Sequence, residues 1–147
     1  MQIIEATYEI LIKNKETLID FFEDVLKENN MDISKKNDIY NDMLNYYKDG
    51  TAILFVAVEN QKVQGLIWAY KLNLKGEKRA HINYFIVDSE VRGNGIGKEL
   101  INKLYTKLKD EGVQKVELMV TAANKNAINF YEKQQFEVER VKLCKQL

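Results

Sequence analysis

Three glycines alternate with other residues in Arg92-Gly93-Asn94-Gly95-Ile96-Gly97-Lys98, between an apolar, β-favouring run and an amphipathic helical pattern. A strand that turns through glycines into a helix start is a shape that binds phosphate. The helix N-terminus offers unpaired backbone N–H groups and the positive end of its dipole. Gly93, Gly95 and Gly97 have no Cβ, which leaves an anion room to approach the backbone. Arg92 and Lys98 add positive charge at the two ends of the turn. The stretch predicts a ligand that carries a pyrophosphate. Two common phosphate loops do not fit: the dinucleotide fingerprint needs a third glycine where Lys98 stands, and the NTPase loop needs glycine at Arg92 and Ser or Thr at Glu99. The bland alternative is an ordinary glycine-rich connection between a strand and a helix.

The elements that must position this loop follow from hydrophobic spacing. Strands are expected over residues 2–7, 52–58, 63–72, 79–87, 115–120 and 136–143. Helices are expected over 16–29, 35–48, 96–108 and 126–134, with Asn14 or Thr17 as the first cap. The order β-α-α-β-β-β-α-β-α-β describes an α/β chain with a mixed, mostly antiparallel central sheet flanked by helices. A right-handed helical crossover makes the glycine-loop strand and the next strand parallel neighbours.

Composition narrows the function classes. The 147 residues include 22 Lys plus Arg and 22 Asp plus Glu, 46% hydrophobic residues, one His, one Cys and no Pro. That length predicts a single domain over 1–147. Balanced charge argues against a nucleic-acid binder that relies on bulk electrostatics. A lone cysteine, Cys144, cannot form an internal disulfide, which suits a reducing compartment. A single histidine leaves no His cluster for a metal. No run is long enough to span a membrane, and no apolar leader opens the chain, so the expected location is the cytoplasm.

The motif Arg92-x-x-Gly95-x-Gly97 fits the pattern [QR]-x-x-G-x-[GA]. Downstream, Asn124-Lys125-Asn126-Ala127-Ile128-Asn129-Phe130-Tyr131-Glu132-Lys133-Gln134-Gln135-Phe136 is similar to N-x-x-A-x-x-F-Y-x-K-x-G-F. Together these resemble the two signatures of the GNAT superfamily of acetyl-CoA-dependent N-acetyltransferases, in the right order and context. The resemblance covers nearly all of the chain from Ala52 onward. It departs at Gln135, where a glycine is common, and at Ser89, where a proline is common. A non-glycine at position 135 implies a strained or different turn.

The resemblance implies acetyl-CoA as co-substrate and no metal. Its pantetheine arm would lie in a gap beside the backbone of Ile86 and Val87, whose N–H groups would also stabilise the oxyanion. Its pyrophosphate would lie on the backbone of Arg92, Gly93, Asn94, Gly95, Ile96, Gly97 and Lys98. Asn124 matches a position that contacts the cofactor, and it also suits a helix N-cap. Tyr131 is the implied general acid, donating to the departing thiolate; a phenol with a pKa near ~10 is protonated at neutral pH. The acceptor amine must lose a proton before it attacks. The base is either His81, whose ordinary pKa of ~6.5 suits the task, or a water chain ending on Glu59, Glu117 or another carboxylate. Simple alternation puts His81, Asn83, Phe85 and Val87 on one face of their strand.

The implied reaction is direct transfer of acetyl to a primary amine in a ternary complex. The two N-terminal helices carry Asp20, Glu23, Asp24, Asp38 and Asp42, and Tyr40, Tyr46, Tyr47, Trp68, Tyr70 and Tyr84 supply aromatic surface. Acidic and aromatic walls suit a small cationic amine such as a polyamine, aminoglycoside, amino acid or amino sugar. The same residues also read as solvated helix faces and core aromatics. Met119 stands where several protein-amine acetyltransferases carry glutamate, which weakens a protein N-terminal acceptor. A protein or peptide acetyltransferase and a non-catalytic acyl-CoA-binding module remain the alternatives. A homodimer through a sheet edge or the last strand is a general prior.

Overall fold

The computed structural model describes residues 1–147. Strand β1 (Gln2–Glu5) leads into α1 (Tyr8–Lys13), α2 (Lys15–Glu28) and α3 (Lys36–Lys48). Strands β2 (Ile53–Glu59), β3 (Lys62–Leu74) and β4 (Glu77–Val87) follow, then α4 (Ile96–Asp110), β5 (Lys115–Leu118) and α5 (Lys125–Lys133). The sheet order is β1-β2-β3-β4-β5. The first four strands are antiparallel to their neighbours, and β5 runs parallel to β4 after the α4 crossover. The mixed, mostly antiparallel sheet therefore forms as the sequence predicts.

One helical layer covers each face. Leu18, Phe21, Phe22 and Leu26 recur at helical spacing on α2 and are buried. Leu18, Phe21 and Phe22, with Tyr40 and Met43 of α3, pack on Leu54, Val56, Leu66, Trp68 and Ile86. Fully burying a side chain such as Phe22 or Leu18 contributes about 1.5–3 kcal/mol. On the opposite face, Leu100, Ile101, Leu104 and Leu108 of α4 pack on Phe55, Ala57, Ile67, Ala69, Ala80 and Ile82. Gly65 sits at this contact: a Cβ there would lie 3.0 Å from Leu100 Cδ1 and 3.2 Å from the Ile86 carbonyl oxygen. A side chain would push α4 off the sheet.

Three features differ from the expectation. The short helix α1 occupies a stretch in which hydrophobic spacing predicts no element. Thr7 caps it by accepting from the Ile10 N–H. Asn14 then precedes α2 without capping it through its side chain. Instead its amide donates to the Ile10 and Gln61 carbonyls and accepts from the Val63 N–H, which ties the helices to the β2–β3 turn. Third, the strand expected over 136–143 does not form. No backbone hydrogen bond involves residues beyond Phe136. Val138, Val141 and Leu143 are exposed. Alternation explains this: one face would carry Val138, Arg140 and Lys142, the other Glu139, Val141 and Leu143. Neither face is consistently apolar, so burial fixes no register.

Candidate active site

Strands β4 and β5 pair only from Arg79–Lys115 to Ile82–Leu118. Beyond that point residues 83–87 of β4 keep only β3 as a strand partner, so one edge of β4 faces an opening. A short 3-10 turn, Ser89–Val91, continues from β4 into the glycine loop, held by the Asp88 side chain accepting from the Glu90 N–H. Gly93 and Gly95 adopt φ of +86° and +79°, in the left-handed region, and a Cβ on either would meet nothing within 4 Å. Both requirements fall on glycine: the backbone needs it, and the space beside it is open. Gly95 is the N-cap of α4 and offers no capping side chain. The N–H groups of Ile96, Gly97 and Lys98 therefore point out of the helix end without an intrahelical partner.

Gly97 lies against β4. A Cβ there would lie in ordinary contact with the Phe85 ring, at 3.4 Å, so the first turn of α4 runs beside β4. Ile96 is buried in the α4 layer and offers only its backbone to a ligand. Arg92 turns back: its Nε donates to the Val87 carbonyl at 3.0 Å, and its guanidinium lies 3.8 Å from Glu28 of α2. Asn94 closes the loop by donating to the Val91 carbonyl. Asn124 is the N-cap of α5 and accepts from the Ala127 N–H.

Tyr131 projects from α5 onto Phe85, Phe130 and Phe136. Burial pushes its phenol up to about 12, with a smaller contribution from Tyr105. The hydroxyl therefore keeps its proton throughout the neutral range. Phe136 reaches this cluster because Gln135 reverses the chain with φ +67°, the strained turn anticipated for a non-glycine residue.

Simple alternation along β4 is wrong. Trp68 pairs with Tyr84 but Ala69 pairs with Ile82, so Asn83 is an extra residue, a β-bulge. The bulge shifts the pattern by one. Ala80 and Ile82 join Phe85 and Val87 in the α4 layer, while Tyr84 and Ile86 belong to the α2–α3 layer. His81, between Ala80 and Ile82, shares the α2–α3 side with Tyr84 and not with Phe85. Its Nδ1 lies 2.8 Å from Glu117 Oε2, and its ring stacks on Tyr70 at 5.2 Å. Two of the proposed base groups thus meet one pair before the last paired position, Ile82–Leu118, at the opening. Glu59 stands apart, at the end of β2 beside the Met1 amine.

The acidic and aromatic wall is thinner than the residue count suggests. Tyr40 and Trp68 are core, and the Tyr40 hydroxyl donates to the Leu11 carbonyl. Glu23 faces Lys27 and Lys36, and Asp38 faces Lys35. Tyr46, Trp68 and Tyr84 form a continuous aromatic run, with Tyr46 and Tyr70 exposed. Burial, then the Asp42 carboxylate, push the Tyr84 phenol up.

A strand gap, an uncapped glycine-lined helix start and a half-buried tyrosine on the far helix lie around one sheet. Residues 14–136 match the family model of the acetyltransferase (GNAT) family. The chain belongs to this family. Over 69 residues it is 42% identical to an uncharacterized N-acetyltransferase of Methanocaldococcus jannaschii, covering 47% of this chain and 30% of that relative. The chain thus spans about a third of that relative's length. Among solved structures it is similar to an aminoglycoside acetyltransferase from an uncultured soil metagenomic sample in complex with sisomicin. That similarity has TM-score 0.75, 24% identity and coverage of 99% of this chain and 95% of the other. It is also similar to a predicted acetyltransferase with acetyl-CoA from Clostridium acetobutylicum, with TM-score 0.76, 15% identity and coverage of 99% and 95%. At these identities the two structures speak for the GNAT fold.

Residue types alone did not single out Arg79 and Glu139. Arg79 is the one buried charged side chain. It holds Glu139 in a two-pronged pair at 2.7 and 2.8 Å and Glu77 at 2.7 Å, while Glu117 lies at 3.5 Å. The guanidinium holds both Glu139 and Glu77 below the usual carboxylate range. A signal did exist. Arg79 and His81 share one parity on β4, and the parallel register sets Glu117 opposite His81.

Proposed function

We propose that the chain transfers an acetyl group from acetyl-CoA to the primary amine of a small cationic acceptor, by direct attack in a ternary complex. The parting of β4 from β5 beside the open, glycine-lined start of α4 carries this reading. The residues present fit the donor. Gly93 and Gly95 leave free the space that a Cβ would enter, and the first N–H groups of α4 can accept a pyrophosphate. When bound, acetyl-CoA supplies an acyl group already activated as a thioester. The backbone of Ile86 and Val87 borders the gap; because Asp88 N–H donates to Gln64 on β3, the Val87 N–H is the one that points to the open edge and can donate to an oxygen that gains charge. His81 takes a proton from the incoming ammonium. Tyr131 approaches from the α4 side and gives its phenolic proton to the departing sulfur.

The acceptor reading rests on the exposed Tyr46 and the half-buried Tyr84, which flank the core Trp68, with the Asp42 carboxylate near Tyr84, aromatic and acidic groups that suit a cation. The soil acetyltransferase that holds sisomicin is consistent with this class of acceptor.

Calorimetry with acetyl-CoA on the wild type and on Gly95→Trp tests the donor site. Binding by the wild type that the bulky loop residue abolishes, followed by thiol release with an amine panel, is the expected result. Absence of binding by folded wild type refutes the reading. Turnover on peptide N-termini alone refutes the small-amine acceptor.

A further inference from the structure

His81 is the only histidine in the chain, and both neighbouring strands contribute a side chain to its ring. It pairs across the sheet with Tyr70 on β3 and with Glu117 on β5. Tyr70 covers one side of the ring. Glu117 lies at Nδ1, 2.8 Å away. A carboxylate at that distance accepts a hydrogen bond, so the proton belongs on Nδ1 and the lone pair on Nε2. The other Glu117 oxygen lies 3.5 Å from Arg79 Nη1. Arg79 already has close partners in Glu139 and Glu77, and Lys115 lies 3.5 Å from Glu77. Three carboxylates thus face two permanent cations around Glu117, and a negative charge is left beside the imidazole. Glu139 belongs to the C-terminal segment, which has no backbone hydrogen bond there. Its side chain reaches back across the sheet to fix Arg79.

We propose that Glu117 is a positioning residue that holds His81 in the Nδ1–H form with Nε2 as the proton acceptor, and that the Arg79–Glu139 pair fixes Glu117 from the C-terminal segment. This deepens the acetyl-transfer reading and rests on it for the identity of the reaction. The proton balance is simple. An ammonium N–H bond breaks and its proton forms a bond to Nε2. The freed nitrogen lone pair attacks the acyl carbon. The imidazolium shares its charge with Glu117 through Nδ1–H and later releases the Nε2 proton to water. As the acyl C–S bond breaks, the sulfur takes the Tyr131 proton, and the second proton shed by the attacking nitrogen passes through water to the Tyr131 phenolate, so that one proton in all is released.

The test needs no assignment because there is one histidine. Nitrogen-15 NMR of the labelled, ligand-free protein at pH 8 reads the tautomer directly. The wild type is expected to show a protonated Nδ1 and an unprotonated Nε2. Glu117→Ala should cut the Nδ1–H population several-fold. In thiol-release assays with acetyl-CoA and the best amine of the panel, Glu117→Ala should lower kcat about 10- to 100-fold with both KM values within twofold. Glu139→Ala removes an exposed side chain from a segment without backbone bonds, so it serves as the variant that folds; it should move the same tautomer signal and kcat in the same direction by a smaller factor. A wild-type histidine in the Nε2–H form, or a tautomer unchanged in Glu117→Ala, overturns the proposal. A Glu139→Ala protein identical to wild type in both readouts removes the C-terminal clamp from it. An Nδ1–H tautomer in a protein without thiol release overturns acetyl transfer and the acceptor role of Nε2, and leaves the Glu117–His81 geometry standing.

Discussion

Replacing Tyr131 with phenylalanine separates chemistry from stability. The substitution removes one oxygen and keeps the ring that packs on Phe85, Phe130 and Phe136. Burial of the phenol is the main cause of its raised pKa, and no hydrogen bond offsets it. Stability at neutral pH should therefore stay within about 1 kcal/mol of wild type. Transfer should fall by about 10²–10⁴-fold, the usual contribution of a positioned general acid. A second consequence appears only in alkali. Below pH 10 the folded and unfolded chains both keep the phenolic proton, so the group adds nothing to pH dependence. Between pH 10 and about 12 the unfolded chain loses that proton while the folded chain retains it, so stability falls as pH rises. A rise from 10.0 to about 12 corresponds to about 2–3 kcal/mol lost by pH 12. Tyr131→Phe lacks this loss. Tyr84 and Tyr105, also pushed up by burial, are present in both proteins and cancel in the comparison. Urea unfolding at pH 8 and pH 11.5 measures the difference, and thiol release at pH 8 measures turnover. A kcat within threefold of wild type refutes Tyr131 as the acid. Equal alkaline losses in the two proteins refute the buried phenol.

Two further substitutions test the backbone. Gln135→Gly should stabilise the protein by about 1 kcal/mol, because position 135 holds φ +67° and an L side chain pays for that region; the thermal midpoint should rise by about 2–4 °C. Gly65→Ala should cost about 1–3 kcal/mol in urea unfolding, because the new Cβ meets the Ile86 carbonyl at 3.2 Å and that atom is backbone.

Much of the fold was legible because its signals are periodic. The α4 pattern of Ile96, Leu100, Ile101, Leu104 and Leu108 and the apolar run of β2 each repeat over several turns or pleats. The six-residue α1 is too short to display a period, so it escaped. The glycine loop was read correctly as a turn into a helix, and the approach of Gly97 to the Phe85 ring became visible only in the fold. The final strand failed because its two faces are mixed. The pairing of Arg79 with Glu139 joins positions 60 residues apart, and no local pattern reports such a contact. His81 was visible as a titratable group, but its partner required the register of β4 against β5.

The bulge at Asn83 gives β4 two phases. Ahead of it the odd-numbered side chains belong to the α2–α3 layer; beyond it the even-numbered ones do. His81 and Phe85 thereby reach opposite sides of the same opening, although even numbering would have stacked them together. What sets His81 and the Phe85–Tyr131 contact on opposite flanks is thus a count of residues, not a type of residue. Along this strand a change of side chain perturbs one contact, whereas a change of length by one residue exchanges the contents of both layers between the histidine and the loop. Relatives that keep this division of labour are therefore to be recognised by conserved spacing between strand and loop before any conserved letter within it.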